Sequence, residues 1–365
     1  MRLTQLAFLR RTAVATVLAV AGLAAGSARA GFTYAYQFGT SGSGNGQFRE
    51  PADLATDTAG NIYVSDSQNS RVEEFTNAGI FIRAFGSRGS GTGQFVGATQ
   101  GVAVDSTGNV FISDVSGGRI QEFSNTGTFI RTFGSQGSGT GQFNGPAGMA
   151  IDAAGNVFVV DNGNDRVEVF TNTGTFVRSF GLPGSGNGRL IYPTNLAIDA
   201  AGNVFVTDTG NSRVEEFTAA GTFIRAFGSA GSGDGQFGLG GAGSPFGVSI
   251  DAVGNVYVGD TRNFRVQEFT NTGTFIQAFG SVGTGDGQFG NGQFGGPSGV
   301  VVDASGKVFV SDYNNNRIEA FISPSVVPEP GSLCLFATGV AFALGARSWR
   351  RRRESRGRQD HGPRG

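Results

Sequence analysis

Short runs of Val, Ile and Phe alternate with Gly, Asn, Asp and Thr along residues 46–322. These runs belong to a sequence repeat of 47 to 52 residues that occurs six times. In the third copy the apolar runs cover residues 149–151, 157–160, 166–170 and 175–180. Runs this short, each bounded by turn residues, are typical of β-strands joined by tight turns. No stretch of comparable length shows apolar residues at helical spacing. The pattern therefore predicts four antiparallel strands in every copy.

A fixed period of this length indicates an array of similar units that bury their apolar faces against one another. Four strands per unit, repeated radially, are the signature of a β-propeller blade. We therefore predict an all-β fold, a six-bladed β-propeller. The chain contains 33 Phe and 1 Trp, and several Phe fall at fixed places in each copy, so we expect them to pack between neighbouring blades.

The two ends of the array predict how the ring closes. The sixth copy stops after its third strand, at residues 317–321, and no fourth strand follows. Before the first copy, residues 34–39 match residues 81–86, and in both places the next Gly-Gln-Phe begins eight residues after the Phe. We predict that this N-terminal strand completes the last blade, which would hide an otherwise open sheet edge.

Two sets of charged residues recur in every copy. One is the Asp before the first turn: Asp57, Asp105, Asp152, Asp199, Asp251 and Asp303. The other is an Asp five residues before an Arg: Asp66/Arg71, Asp114/Arg119, Asp161/Arg166, Asp208/Arg213, Asp260/Arg265 and Asp312/Arg317. Because all copies share them, we interpret the pairs as structural, with the Asp accepting hydrogen bonds from loop N–H groups and from the Arg. The Gly-Ser loops, such as residues 41–46, precede no helix, so we interpret them as flexible connectors rather than phosphate cradles.

The termini predict export. Residues 1–30 have Arg residues, an apolar run at 12–25 and a small-residue cleavage pattern at 28–30, which is typical of a secretory signal. We expect the propeller at 31–322, a linker at 323–331, a hydrophobic membrane segment at 332–349 and a basic cytoplasmic tail at 350–365. About 15 apolar residues are short for the roughly 20 that span a bilayer. Basic residues prefer the cytoplasmic side, which leaves the propeller outside.

The C-terminal residues resemble a known sorting signal. Pro328, Glu329 and Pro330, the apolar run and the arginines at 350–353 resemble the PEP-CTERM sorting tail of exported bacterial proteins, which implies processing by an exosortase. The alternative is an ordinary C-terminal membrane anchor. Either way we expect an exported protein at the cell envelope, cell surface or outside the cell, held transiently or stably at the membrane by its C-terminus.

The sequence repeat resembles NHL repeats, for example at residues 199–208 and 211–214, and this resemblance covers about four fifths of the chain. It implies a propeller, and it leaves the activity open. Such propellers include protein- and ligand-binding domains, RNA-binding domains and a zinc-dependent lyase. Two departures are Gly117, where other copies have Asn, and Arg189-Leu190, where they have Gln-Phe.

The composition narrows the chemistry. The single His361 and the single Cys334 both lie in the C-terminal tail, so the propeller has no residues for a disulfide, a typical zinc site or a Ser–His or Cys–His pair. Residues 31–322 carry 15 Lys and Arg against 25 Asp and Glu, a net charge of −10, which disfavours nucleic acid. We expect no cofactor and no metal. Calcium near residues 283–286 has no Asp-x-Asp-x-Asp-Gly spacing to support it.

One asymmetry predicts a binding site. From Gly-Gln-Phe to the next Asp the chain takes 11 or 12 residues in copies one to four and 16 in copies five and six. The extra residues include 239–242 and 292–294, and they are either loops of a binding face or neutral slippage. The largest side chains between the repeated Asp and Arg fall in the same two blades. We therefore predict binding by Arg262, Phe264, Tyr313 and Asn314.

Taken together, these features predict an exported, non-catalytic propeller that binds an unknown surface or matrix partner, a protein or a glycan. The alternative is an extracytoplasmic carboxylate-dependent hydrolase or lactonase. An enzyme of that kind should show one blade-specific acidic cluster at the mouth of the central channel.

Overall fold

A computed structural model describes residues 31–238, 244–290, 295–323 and 365. The predicted signal sequence, the inserted residues 239–242 and 292–294, the sorting motif and the hydrophobic segment lie outside these residues. The domain boundaries expected there stay predictions.

The described chain is all-β and forms six four-stranded antiparallel sheets, the six blades. The inner strands are Pro51–Thr56, Thr99–Val104, Pro146–Ile151, Pro193–Ile198, Val248–Ile250 and Pro297–Val302. The second strands are Ile62–Asp66, Val110–Asp114, Val157–Asp161, Val204–Asp208, Val256–Asp260 and Val308–Asp312. The third strands are Arg71–Phe75, Arg119–Phe123, Arg166–Phe170, Arg213–Phe217, Arg265–Phe269 and Arg317–Ile322. The outer strands are Phe81–Phe85, Phe129–Phe133, Phe176–Phe180, Phe223–Phe227, Phe275–Phe279 and, for blade six, Thr33–Phe38.

The ring closes as the sequence predicts. Thr33–Phe38 pairs antiparallel with Arg317–Ile322, so that Tyr34 lies opposite Phe321 and Phe38 lies opposite Ile318. The N-terminal strand is therefore the outer strand of blade six. The predicted six-bladed, circularly sealed propeller is confirmed.

The connections divide between two faces. The upper face carries the loops between second and third strands, which in four blades form one turn of 3₁₀-helix: Ser67–Asn69, Asn162–Asn164, Thr209–Asn211 and Thr261–Asn263. It also carries the connections between blades, where two-residue strands such as Thr40–Ser41 and Gln47–Phe48 pair in parallel. The lower face carries the turns that follow the inner and third strands.

Apolar clusters fill the seams between neighbouring blades. In the seam between blades six and one, Phe48 is fully buried among Leu54 and Phe75 of blade one and Phe309 and Ile318 of blade six. Phe95, Phe143, Phe237 and Phe289 are fully buried in the same way, and Leu190 replaces Phe in blade four. Burying one such side chain contributes about 1.5–3 kcal/mol. The repeated Phe therefore hold the ring together, as we expected from their spacing.

Candidate functional site

The repeated Asp and Arg side chains meet on the upper face of every blade. The Arg Nε lies 2.7–3.0 Å from the Asp Oδ2 in all six pairs. In blade one, Asp66 also accepts from the Arg49 backbone N–H, at 2.7 Å, and from Asn69 Nδ2, at 2.8 Å. Arg71 donates to the backbone carbonyls of Gly44 and Gln47. These contacts tie each upper loop to the connection from the preceding blade.

The Gly-Ser loops have a defined and repeated conformation, unlike the flexible connectors that their composition suggested. The Gln47 Oε1 accepts a 2.9 Å hydrogen bond from the Gly44 N–H, and the equivalent bond is present at Gln94, Gln142, Gln236 and Gln288. The φ of Gly42 is +154° and that of Gly46 is +73°, and a Cβ on Gly42 would lie 2.2 Å from the Gln47 Oε1. Glycine is therefore required at Gly42 by the turn that the Gln side chain closes.

The predicted residues of blade five lie partly in the seam with blade six. Phe264 has a left-handed φ of 55° and packs against the buried cluster that contains Phe289. At the position equivalent to Phe264 in blades one and six, the side chains of Ser70 and Asn316 form hydrogen bonds with the backbone of the next blade. Arg262 is partly buried, next to Gly238. Phe264 thus contributes to blade packing.

Tyr313 joins blade six to blade one on the upper face. Its hydroxyl donates a 2.6 Å hydrogen bond to Glu50 Oε2, and the backbone N–H of Glu50 donates to Asn316 Oδ1 at 2.8 Å. Burial and the neighbouring Glu50 carboxylate raise the pKa of the Tyr313 phenol above its ordinary value. A polar groove of about 470 Å³ follows this seam, with Arg49 and the exposed Asn314 on its walls.

Tyr313 also lines a depression of about 210 Å³ at the upper mouth of the central channel. Gln68 of blade one, Gln100 and Val115 of blade two and Phe246 of blade five line it as well. Gln68 is shared with the seam groove. The structure therefore brings Tyr313 together with blades one and two rather than with Arg262 and Phe264.

Two polar side chains that were not predicted from the sequence lie on the axis of the ring. Asp53 of blade one and Asn195 of blade four occupy equivalent positions of their inner strands, and the other four copies have Gly there. The two blades are opposite each other in a ring of six. The Asn195 Nδ2 donates a 3.0 Å hydrogen bond to Asp53 Oδ1 across the channel. Aligning the six copies would have shown this substitution of Asp and Asn for Gly.

The Asp53 carboxylate is almost completely buried, with 5% of the residue exposed. Burial raises its pKa to about 6, against the opposing effect of hydrogen bonds from the backbone N–H groups of Leu54 and Val102 and from Asn195. The Val102 bond is 3.3 Å long and ends on Oδ2. Among the described residues, no three His, Cys, Asp or Glu side chains form a group that could hold a metal ion.

Comparison with known proteins identifies the repeat. The NHL repeat family matches residues 48–75, 143–170 and 294–321. The propeller therefore contains NHL repeats, in blades one, three and six. A second match, to the PEP-CTERM protein-sorting motif, covers residues 326–353 and supports export and a location in the cell envelope. No curated protein matches the sequence. In the described part of the chain no helix is long and apolar enough to cross a membrane, and the predicted segment 332–349 lies outside that part.

Several solved structures share the fold of this NHL-repeat propeller. A protein of unknown function from Bacteroides thetaiotaomicron is 16% identical, with a TM-score of 0.59 over 78% of this chain and 76% of that chain. A gluconolactonase from Xanthomonas campestris is 14% identical, with a TM-score of 0.56 over 81% and 98%. A catalytically inactive virginiamycin B lyase from Staphylococcus aureus is 13% identical, with a TM-score of 0.55 over 81% and 87%. At these identities the likeness shows the fold alone.

Proposed function

We propose that this protein is an exported propeller of the cell envelope that binds a surface or matrix partner, a protein or a glycan, on its upper face. The observation that carries the proposal is the continuous surface formed by the axial depression and the seam groove, which share Tyr313 and Gln68. Scaffold residues repeat around the ring while the residues that line this surface differ between copies. Variation of that kind is expected where a common frame carries one specific site.

The chemistry of this surface suits polar recognition. It presents the amides of Gln68, Gln100 and Asn314, which can donate and accept hydrogen bonds. It also presents the ring of Tyr313, which can stack against an apolar face of a ligand. The Arg49 and Glu50 charges offset each other at the seam. Arg262 and Phe264 remain predicted contributors at the edge of blade five.

Capture experiments with the purified protein test this proposal. We expect the double variant Gln68→Ala with Gln100→Ala to lose at least tenfold in affinity for a partner retained from envelope or matrix extract, or for a glycan found on an array. Val177→Ala, at an exposed position of the outer strand of blade three, is the matched control and should bind normally. Arg262→Ala measures the contribution of blade five. Equal binding by the double variant and wild type would reject the upper-face site.

The alternative, a carboxylate-dependent hydrolase or lactonase, now has one specific residue in its favour. Asp53 is a blade-specific carboxylate beside the channel, and burial raises its pKa to about 6, towards the operating pH at which a general base is most effective. A glycosidase, however, needs a pair of carboxyl groups, and Asp53 is paired with the amide of Asn195. Turnover of a lactone or glycoside panel that disappears in Asp53→Asn would establish this alternative. Absence of turnover in the wild type would favour binding.

A further inference from the structure

The lower half of the central channel is a pit with a distinctive floor. It has a volume of about 240 Å³ and is lined by the inner strands of all six blades, from Asp53 and Asn195 down to the last residues of those strands, such as Thr56 and Ile198. Most of its side chains are apolar. It is separate from the upper-face surface, with which it shares no lining residue.

Because the inner strands pack closely, Asp53 and Asn195 form the floor of this pit, at its inner end on the axis of the ring. A Cβ on Gly101 would lie 2.2 Å from the carbonyl oxygen of Ala147, and a Cβ on Gly148 would lie 2.2 Å from Asn195 Oδ1. The glycine positions therefore have no room for side chains. The two polar side chains meet on the axis because only their blades depart from glycine.

The charges around the pit have one sign. Asp53 is the sole ionisable residue that lines it within the described chain, and no Lys or Arg does so. The repeated turn carboxylates stand directly after the inner strands, at the lower end of the pit. Backbone bonds fix them, as in Asp57, which accepts from the N–H groups of Ala59 and Asn61. The lower-face Lys307 packs instead on the rings of Tyr36 and Phe309.

We infer that this lower pit is a binding site for a slender alkylammonium group. The ammonium would donate to the Asp53 carboxylate, and its methylene chain would pack on the apolar walls formed by residues such as Leu54 and Leu196. A cleft lined by negative charge with low-dielectric walls concentrates cations. A carboxylate that is already desolvated gains more from a cation than an exposed one does, because its hydration has been lost on folding. The same group could come from a free diamine or from a lysine side chain of a partner protein.

Calorimetry on the purified full chain tests the inference with pentane-1,5-diamine, and with pentane-1,5-diol as the uncharged control. We expect the diamine to bind and the diol not to bind. Asp53→Asn should weaken diamine binding at least tenfold, whereas Asp57→Asn, which removes a charge at the lower end and keeps an Asx turn, should weaken it less than threefold. A blocked lysine peptide that binds more tightly than the diamine would identify a protein side chain as the natural source.

The pH dependence of diamine affinity in the wild-type protein tests the inference even if Asp53→Asn fails to fold. The diamine remains charged below pH 8, so its affinity for wild type should rise between pH 5 and 7 as Asp53 ionises. Asn195→Ala retains the carboxylate and should keep this rise. Equal binding of diol and diamine, no diamine binding at millimolar concentration, a flat pH profile, or unchanged affinity in a folded Asp53→Asn protein would each overturn the inference.

Discussion

Arg71 Nη2 lies 3.0 Å from Glu73 Oε1 in the third strand of blade one, and the Glu73 side chain is completely buried. The same pair recurs in blades three, four and six, as Arg166/Glu168, Arg213/Glu215 and Arg317/Glu319. In blades two and five the acid is replaced by Gln121 and Gln267, whose Nε2 groups donate to a backbone carbonyl of the connection between blades. The position therefore accepts a neutral side chain.

We predict that these four glutamates make the propeller more stable in mild acid. Burial raises the pKa of Glu73, Glu168 and Glu215 to about 7 and that of Glu319 to about 8, against the lowering effect of the adjacent Arg. The folded state then binds protons more tightly than the unfolded state. Their contribution to stability is fully present below the ordinary pKa near 4.5 and is lost as the pH rises to about 8.

Urea unfolding between pH 4 and 8 measures this dependence. The quadruple variant with Gln at all four positions should have a flatter profile than wild type and should be more stable at pH 8. Gln121 and Gln267 show that the fold already uses this side chain there. A wild-type profile that does not fall above pH 5, or a variant with the same slope, would contradict the prediction.

Removing Arg71 should destabilise the protein much more than removing Arg131. Arg71 is 13% exposed, and without it the buried Asp66 and Glu73 carboxylates lose their cation. Breaking a buried ion pair from one side costs about 3–5 kcal/mol. Arg131 is 38% exposed and pairs at 2.8 Å with a single carboxylate, that of the buried Glu122, so its removal leaves one buried carboxylate without its cation rather than two and should cost less. Chemical unfolding of Arg71→Ala and Arg131→Ala would show the difference, and similar losses would argue against a structural role for the repeated pairs.

The axial glycines should tolerate no side chain. A Cβ on Gly101 would overlap the Ala147 carbonyl oxygen, and this backbone atom cannot move aside without shifting a strand. We expect Gly101→Ala to destabilise by about 1–3 kcal/mol, as overpacking does. The matched control is Gly186→Ala, where the one neighbour within 4 Å is the Arg189 side chain at 3.5 Å. Thermal unfolding compares the two, and an unchanged midpoint for Gly101→Ala would show that the ring can expand.

The sorting tail should decide where the protein resides. The motif at residues 326–353 contains Glu329 and the arginines at 350–353. We expect Glu329→Ala, or replacement of the four arginines by Ser, to leave the C-terminus unprocessed and the protein in the wrong cell fraction. Mass spectrometry of the C-terminal peptide and fractionation measure this. Wild-type processing and location in both variants would speak against the sorting role.

The fold could be predicted from the sequence because its determinants are local and repeated. The turn residues after each strand recur at one period. The match between residues 34–39 and 81–86 predicted that the N-terminal strand completes blade six and closes the ring. The axial pair could not be predicted in this way, because Asp53 and Asn195 are 142 residues apart and meet only when six blades form a ring. Similarly, the large side chain of Phe264 predicted a binding contact, and its left-handed backbone and its packing against the cluster in the seam follow only from the assembled ring.

Removing residues 31–39 should open the ring. The strand Thr33–Phe38 covers the edge of Arg317–Ile322, and the aromatic side chains of residues 31–39 pack on three blades: Phe32 on Phe279, Tyr34 on Phe321 and Phe38 on Phe75. Without it, an unpaired strand edge and several apolar rings would face water, which promotes aggregation. We expect a large fall in the melting temperature and loss of the monomer. A synthetic peptide of residues 31–39 supplied in trans should restore both, because it supplies the missing strand. A truncated protein that stays monomeric with unchanged melting would show that the ring does not depend on this closure.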